Sequence, residues 1–268
     1  MIENRRTAWR WLLALIGLIG LTGVGQSARE QNKYDVLAHV LQPYGALFYS
    51  KSSIKAMQAD VVLQDASGTG GSLGAGSLLH RTLRVSLQMP DRLRIETVGS
   101  GNHIIFCRQG QQIWIYPRIV ADRVIAAAGP PGQEATAIPD FHLPLHDNQI
   151  VLLPALFQIS NFQPARDPEN QPAWNIDLHP ATELLQSSRP PPWNATVVVR
   201  QKDYQVRHLT VASPEWTGKL QVLSMRFMHT LPLDLWSPSA VEKAGAEPIP
   251  PTLYSTALAK LSTINFEP

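Results

Sequence analysis

The chain has 268 residues, is 44% hydrophobic, and carries 23 Lys and Arg against 21 Asp and Glu. That charge balance gives no ground for a nucleic-acid or anionic-surface ligand. The single cysteine, Cys107, excludes an intramolecular disulfide, and its place in a strand pattern reads as a small buried apolar residue rather than a reactive thiol.

The N-terminal stretch sets the expected compartment. Arg5, Arg6 and Arg10 precede the apolar run Trp11–Leu21, and the small residues Gly23, Gly25, Ser27 and Ala28 follow. A basic head, a short apolar middle and a small-residue end predict a cleaved export signal over 1–28, since the run is short for a membrane span. No Cys stands near the expected cut, so a lipoprotein anchor is not expected. The segment holds three Arg and one Glu, so its removal leaves 20 residues of each sign. Residues 29–268 then read as one sheet-dominated domain, long enough to bury a core without staples.

In chain order, Tyr34 to Tyr49 places Val36, Leu37, Val40 and Leu41 at helical spacing, with Pro43 expected to end or kink the helix. Residues 54–64 follow as a strand. A loop over 65–76 holds five glycines, but no Lys-Ser/Thr follows to make it a phosphate cradle. Strands are expected at 81–89, 91–98, 102–108, 112–117 and 122–128, with turns at Pro90-Asp91, Gly99-Ser100-Gly101 and Gly110. Residues 129–172 are Pro-rich and read as an insert of short helices. Strands resume at 173–179, 194–200, 204–212 and 218–229, with a Pro-rich linker at 188–192. The tail ends in an expected helix at 252–262. Strands in even succession, without alternating helices, predict an antiparallel barrel or sandwich and disfavour a parallel α/β fold.

Face counting raises a question. In 92–98, Leu93, Ile95 and Thr97 share one side, and Arg92, Arg94 and Glu96 the other. Residues 103–107, apart from His103, and Ile113-Trp114-Ile115-Tyr116 are apolar on both faces, and Val197 to Val199 run together. Such strands need covering on both sides. Either two sheets enclose a solid core, or one face wraps an apolar interior that takes a ligand.

Other chemistries find little support in the residues. His142, His146 and Asp147 are spaced like a helical metal pair, but Pro144 lies between them, so no metal site is expected. No Gly-x-Ser-x-Gly elbow and no informative carboxylate pair stand in the chain, so no enzyme and no cofactor are expected. Asn194-Ala-Thr196 matches a glycosylation acceptor at a strand start.

The run Leu83-Arg-Val-Ser-Leu-Gln-Met-Pro-Asp-Arg-Leu-Arg-Ile-Glu96, then Ile104 to Cys107, Gly110, and Gln112-Ile-Trp-Ile-Tyr-Pro117 resembles the LolA-like periplasmic lipoprotein carriers, the superfamily that includes the LolA, LolB and RseB types. The segment Leu231-Pro-Leu-Asp-Leu-Trp236 is also similar. The resemblance implies a half-open, curved antiparallel β-barrel wrapped on an N-terminal helix, with short lid helices and an apolar concave interior. It implies a soluble periplasmic carrier of acyl chains or another lipid-like ligand, served by an inner- or outer-membrane partner protein. Two departures stand out: Met89 occupies the place where the carriers have a lid-holding Arg, and Gln109-Gly110 replaces Asp-Gly.

On this reading Leu93, Ile95, Phe106, Trp114, Leu223, Met225 and Phe227 line the interior. Ile150, Leu152, Leu153, Leu156 and Phe157 form the lid, hinged at Gly129-Pro-Pro-Gly132. The alternative is a non-enzymatic envelope scaffold or sensor whose barrel is filled by its own side chains.

Overall fold

The computed structural model describes residues 33–68, 71–72, 78–99, 103–128, 137–143, 146–181, 193–213, 216–254 and 257. The expected export signal, the tip of the glycine loop, the Gly129–Gly132 hinge, the 188–192 linker and most of 252–262 lie outside the described residues.

Helix α1 (Lys33–Phe48) is followed by β1 (Ala56–Gly68), the short β2 (Gly71–Ser72), β3 (Thr82–Gln88), β4 (Arg92–Val98), β5 (Ile105–Gln109) and β6 (Gln112–Tyr116). Helix α2 (Arg118–Ala128) and a 3-10 segment (Asp147–Leu156) lead into β7 (Phe157–Arg166), β8 (Pro172–Pro180), β9 (Asn194–Arg200), β10 (Val206–Ser213) and β11 (Trp216–Met228). The tail adds a 3-10 turn (Leu233–Trp236), α3 (Ala240–Gly245), β12 (Glu247–Pro248) and a last 3-10 turn (Pro251–Leu253).

All twelve strands belong to one sheet, in the order β12-β6-β5-β4-β3-β1-β11-β10-β9-β8-β7, with β2 attached to β1. Every described pairing is antiparallel. Two meanders, β3–β6 and β7–β10, are therefore joined by the central pair β1–β11. The sheet does not close, because β12 and β7 end the path. It curves around α1. Val36, Leu37, Val40, Leu41, Tyr44 and Leu47 of that helix share one continuous core with Ile113 and Ile115 of β6 and with Phe157 and Ile159 of β7. The fold is mainly β: a half-open, curved antiparallel barrel wrapped on a helix.

Several boundaries differ from the sequence reading, each for a local reason. Helix α1 runs through Pro43 to Phe48. A proline inside a helix costs about 3 kcal/mol, but Tyr44 and Leu47 beyond it are fully buried, and each such side chain contributes about 1.5–3 kcal/mol. Residues 122–128 are helical rather than a strand: Val120, Ala121 and Val124 are the buried set, a helical spacing. Residues 157–166, expected within a helical insert, form β7. Its Pro164 is tolerated because β7 is an end strand with one side of its ladder free.

The question of the doubly apolar strands is answered by the tail. On the convex side Ala56, Ile105, Cys107 and Trp114 form a second cluster with Leu231 and Trp236. The chain after β11 folds back over β4, β5 and β6 and seals their outer face.

Candidate functional site

Register places the concave side chains in rows across six strands. One row runs Ile115, Phe106, Ile95, Val85, Ala59, Met225. The next runs Ile113, Arg108, Leu93, Leu87, Met57, Phe227. Five of the expected interior residues, Leu93, Ile95, Phe106, Met225 and Phe227, thus lie together on the concave face, within or packed against the main core. Helix α1 stands over them. Tyr44 meets Phe227 edge-on at 4.5 Å between centroids and donates its hydroxyl to Met225 Sδ. Burial pushes the Tyr44 phenol well above its ordinary pKa, so it remains a neutral donor. Toward β8 the face ends in stacked rings: Phe162 on Trp174, Trp174 on Tyr204, and Tyr204 on His39 of α1.

Two residues expected inside are elsewhere. Trp114 pairs with Cys107, which pairs with Arg94, and that row is convex. Its ring lies under the Arg94 guanidinium at 5.5 Å and belongs to the outer cluster. Because β6 is apolar on both faces, the sequence pattern could not orient it. Leu223 is 40% exposed. The register against β1 shifts between Asp60 and Val61, which pair with Ser224 and Val222, so Leu223 is the extra residue of a bulge and leaves the face of Met225 and Phe227.

The expected lid segment lies on α1. Leu153 and Phe157 are buried, Leu156 is partly buried, and Ile150 packs so close to Gly45 that a Cβ there would stand 2.9 Å from Ile150 Cγ2. Leu152 is 52% exposed and the neighbouring Val151 80%. The segment is a 3-10 helix ten residues long, and such geometry holds hydrogen bonds poorly over that length. Its start is tied to the end of α1 by Ser50, which donates from its backbone N–H and its hydroxyl to Asp147.

Two more segments cover the concave face: the first lies in the 129–172 insert, expected to plug that side, and the second in the tail, which the sequence reading did not place there. Residues 138–143 bury Ile138, Phe141 and Leu143, held by Phe141 N–H to Pro90 O and Gln111 to Ile138. The tail buries Ile249, Leu253, Tyr254 and Ala257. Beneath both lies Arg108, 1% exposed, donating through Nε to Gly110 O and through Nη2 to Pro139 O. Strand period alone would have revealed it, since Arg108 is two residues from Phe106 and so shares its face.

On the outer face, Arg94 bridges Glu96 at 2.8 Å and Glu242 at 3.0 Å and donates to Leu235 O. Burial opposes the Arg94 charge, but the two carboxylates outweigh it and raise its pKa. Burial works against the Glu242 carboxylate too, yet Ser239 and Arg94 hold it below its ordinary value. Burial pushes the Cys107 thiol up to about 12, which leaves it protonated and inert. Between β6 and the tail a pocket of about 280 Å³ opens beside Trp114, Trp236 and Lys243. Elsewhere, His142 Nδ1 lies 2.9 Å from Asp140 O, and among the described residues no three His, Cys, Asp or Glu side chains gather.

No family model and no curated protein matches the chain. Among solved structures it is similar to the Pseudomonas aeruginosa MucA/MucB complex, with 11% identity and a TM-score of 0.38 over 82% of this chain and 64% of that one. The chain therefore spans less than two thirds of that protein. It is also similar to the Mycobacterium tuberculosis lipoprotein LppX, with 12% identity and a TM-score of 0.32 over 71% of this chain and 94% of that one. A LolA superfamily protein from Nitrosomonas europaea matches at 6% identity and a TM-score of 0.25 over 72% of this chain and 94% of that one. The LolA superfamily is the one that the strand motifs resemble. At these identities and TM-scores no site, ligand or partner is carried across.

Proposed function

We propose that the protein is a non-catalytic periplasmic binding protein that holds an acyl chain or similar apolar ligand on the concave face of its sheet. One observation carries this reading. The concave rows are almost wholly hydrocarbon and aromatic, yet what covers them, apart from α1 and the Val120, Ala121 and Val124 face of α2, is chain outside the strand ladder: the 3-10 segment Asp147–Leu156, residues 138–143 and the tail from Ile249. Covers without ladder hydrogen bonds can leave a face that stays intact behind them. An entering acyl chain would gain about 0.8 kcal/mol per buried CH₂. That gain offsets the exposure of Leu153 and Phe141 as their segments lift. A membrane protein of the envelope would load or unload the ligand, and the export-signal pattern at 1–28 supports the periplasmic setting.

A second reading is favoured by α1 itself. With Leu37, Leu41, Tyr44 and Leu47 all fully buried in the interior, the barrel is already filled and could serve as a scaffold or sensor. Native mass spectrometry of protein purified from its own host's envelope, with lipid extraction of what travels with it, separates the two. A bound lipid or acylated peptide supports the carrier. Repeated absence, together with no binding of a fluorescent fatty acid, supports the filled scaffold and defeats the first reading.

A further inference from the structure

The row Ile113, Arg108, Leu93, Leu87, Met57, Phe227 holds one charged member in an otherwise apolar line across the sheet. Arginine carries its charge at any ordinary pH, and a buried charge normally has an opposite charge beside it. The other buried arginines follow that rule: Arg94 has Glu96 and Glu242, and Arg207 has Asp167 and Glu169. Arg108 forms no ion pair with any described residue. Its hydrogen bonds go to two backbone carbonyls, and its guanidinium lies 4.6 Å from the Phe141 ring centroid and 5.0 Å from that of Tyr254. The Tyr254 hydroxyl is itself buried and has no hydrogen-bond acceptor among the described residues. Two polar groups thus face one another beneath the covers, and neither meets an anion among the described residues. Pro139 O and Phe141 belong to the covering segment 138–143, so they are the neighbours of Arg108 that a ligand would displace, while Tyr254 stays beside the guanidinium.

We propose that Arg108, aided by the Tyr254 hydroxyl, receives the anionic head group of the ligand, which is therefore an acyl chain ending in a carboxylate or a phosphate. The inference rests on the apolar-interior reading and adds polarity and direction to it. The guanidinium fork matches either oxyanion through paired N–H donors. The hydrocarbon then runs from Arg108 along Leu93, Leu87 and Met57 toward Phe227 near the middle of the sheet.

The test is fluorescence titration of the purified protein with cis-parinaric acid and with its methyl ester, for wild type, Arg108→Met, Arg108→Gln and Tyr254→Phe. Wild type is expected to bind the acid about tenfold more tightly than the ester or better, the range of a charged hydrogen bond. In Arg108→Met or Arg108→Gln, whichever retains the wild-type circular dichroism, the ratio falls to about threefold or less. Competition by dodecanoate and monododecyl phosphate against methyl dodecanoate identifies the head: displacement by either anion in preference to the ester supports the proposal, and which anion wins names the source. Acid and ester bound equally by wild type would overturn it while leaving the apolar interior standing. Binding of neither would overturn both. A preference unchanged in folded Arg108→Gln and in Tyr254→Phe would place head recognition elsewhere and overturn it as well.

Discussion

Strands β5 and β6 are covered twice, and the two covers are built differently. Outside, Trp236 is 1% exposed against Ile105, Cys107 and Trp114, and the segment that carries it is clamped by Arg94 to Glu242 and to Leu235 O. Inside, Phe106 meets Tyr254 and Ile113 accepts from Ile249 N–H, so both lie under tail segments attached by a few backbone hydrogen bonds. What differs is whether a buried ion pair locks the cover in place: Arg94 with Glu242 does so outside, and no ion pair among the described residues does so inside. The lesson is that a doubly buried strand can have one structural face and one exchangeable face.

The largest effect that tests this contrast is removal of the anchor on each side. Trp236→Ala and Phe106→Ala should each cost about 3–5 kcal/mol in urea unfolding. An added acyl probe should restore stability to Phe106→Ala, whose space faces the ligand side, and not to Trp236→Ala. Equal rescue of both would erase the distinction. Next comes Gly45→Val, which sets a Cβ against Ile150 Cγ2 and should lift the 3-10 segment off α1 at a cost of about 1–3 kcal/mol. Limited proteolysis should then cut faster within 146–156 than in wild type, with the rest of the sheet as resistant as before.

The outer clamp has a pH signature. The folded Glu242 carboxyl sits below the ordinary glutamate value of 4.5. Its contribution is therefore complete above that pH and disappears as pH falls through the lower folded value. Stability measured between pH 6 and 3 should drop by roughly 1–2 kcal/mol from this group, and Glu242→Gln should remove that component of the slope. Smallest is Leu223→Ser, expected within about 0.5 kcal/mol of wild type because the bulge has already turned it to solvent. A loss like that of Phe106→Ala would return Leu223 to the interior.

Where one face is wet, the sequence can be read directly. Strand β4 alternates Leu93 and Ile95 against Arg92, Arg94 and Glu96, and both its limits and its inward set follow from that. Residues 194–200 are a strand in the reading and in the structure alike. Period two fails where both faces are dry, which is why Trp114 was turned inward. It fails again at a bulge, which is why Leu223 was grouped with Met225 and Phe227. It also fails where the cue is tertiary: β7 keeps Pro164 because no described strand pairs with its outer edge, and no residue in 157–166 announces that. Of the interior, the hydrocarbon rows were legible from alternation. The insert that holds 138–143 was legible as a plug but not in its irregular form, and the tail cover at 249–257 was not legible, since irregular backbone has no period to read.

The central seam has a further consequence, for the order in which the molecule is made. Asp60 and Ser224, which lie in β1 and β11, are 164 residues apart in the chain. The meanders β3–β6 and β7–β10 close through neighbours and can collapse early. The seam between them must wait until the last long strand is free to return to the first. Pairings of such separation slow folding markedly. A nascent chain ending before residue 216 would hold two half-sheets with a long unpaired edge on β1, open to chaperones and to other copies until β11 arrives.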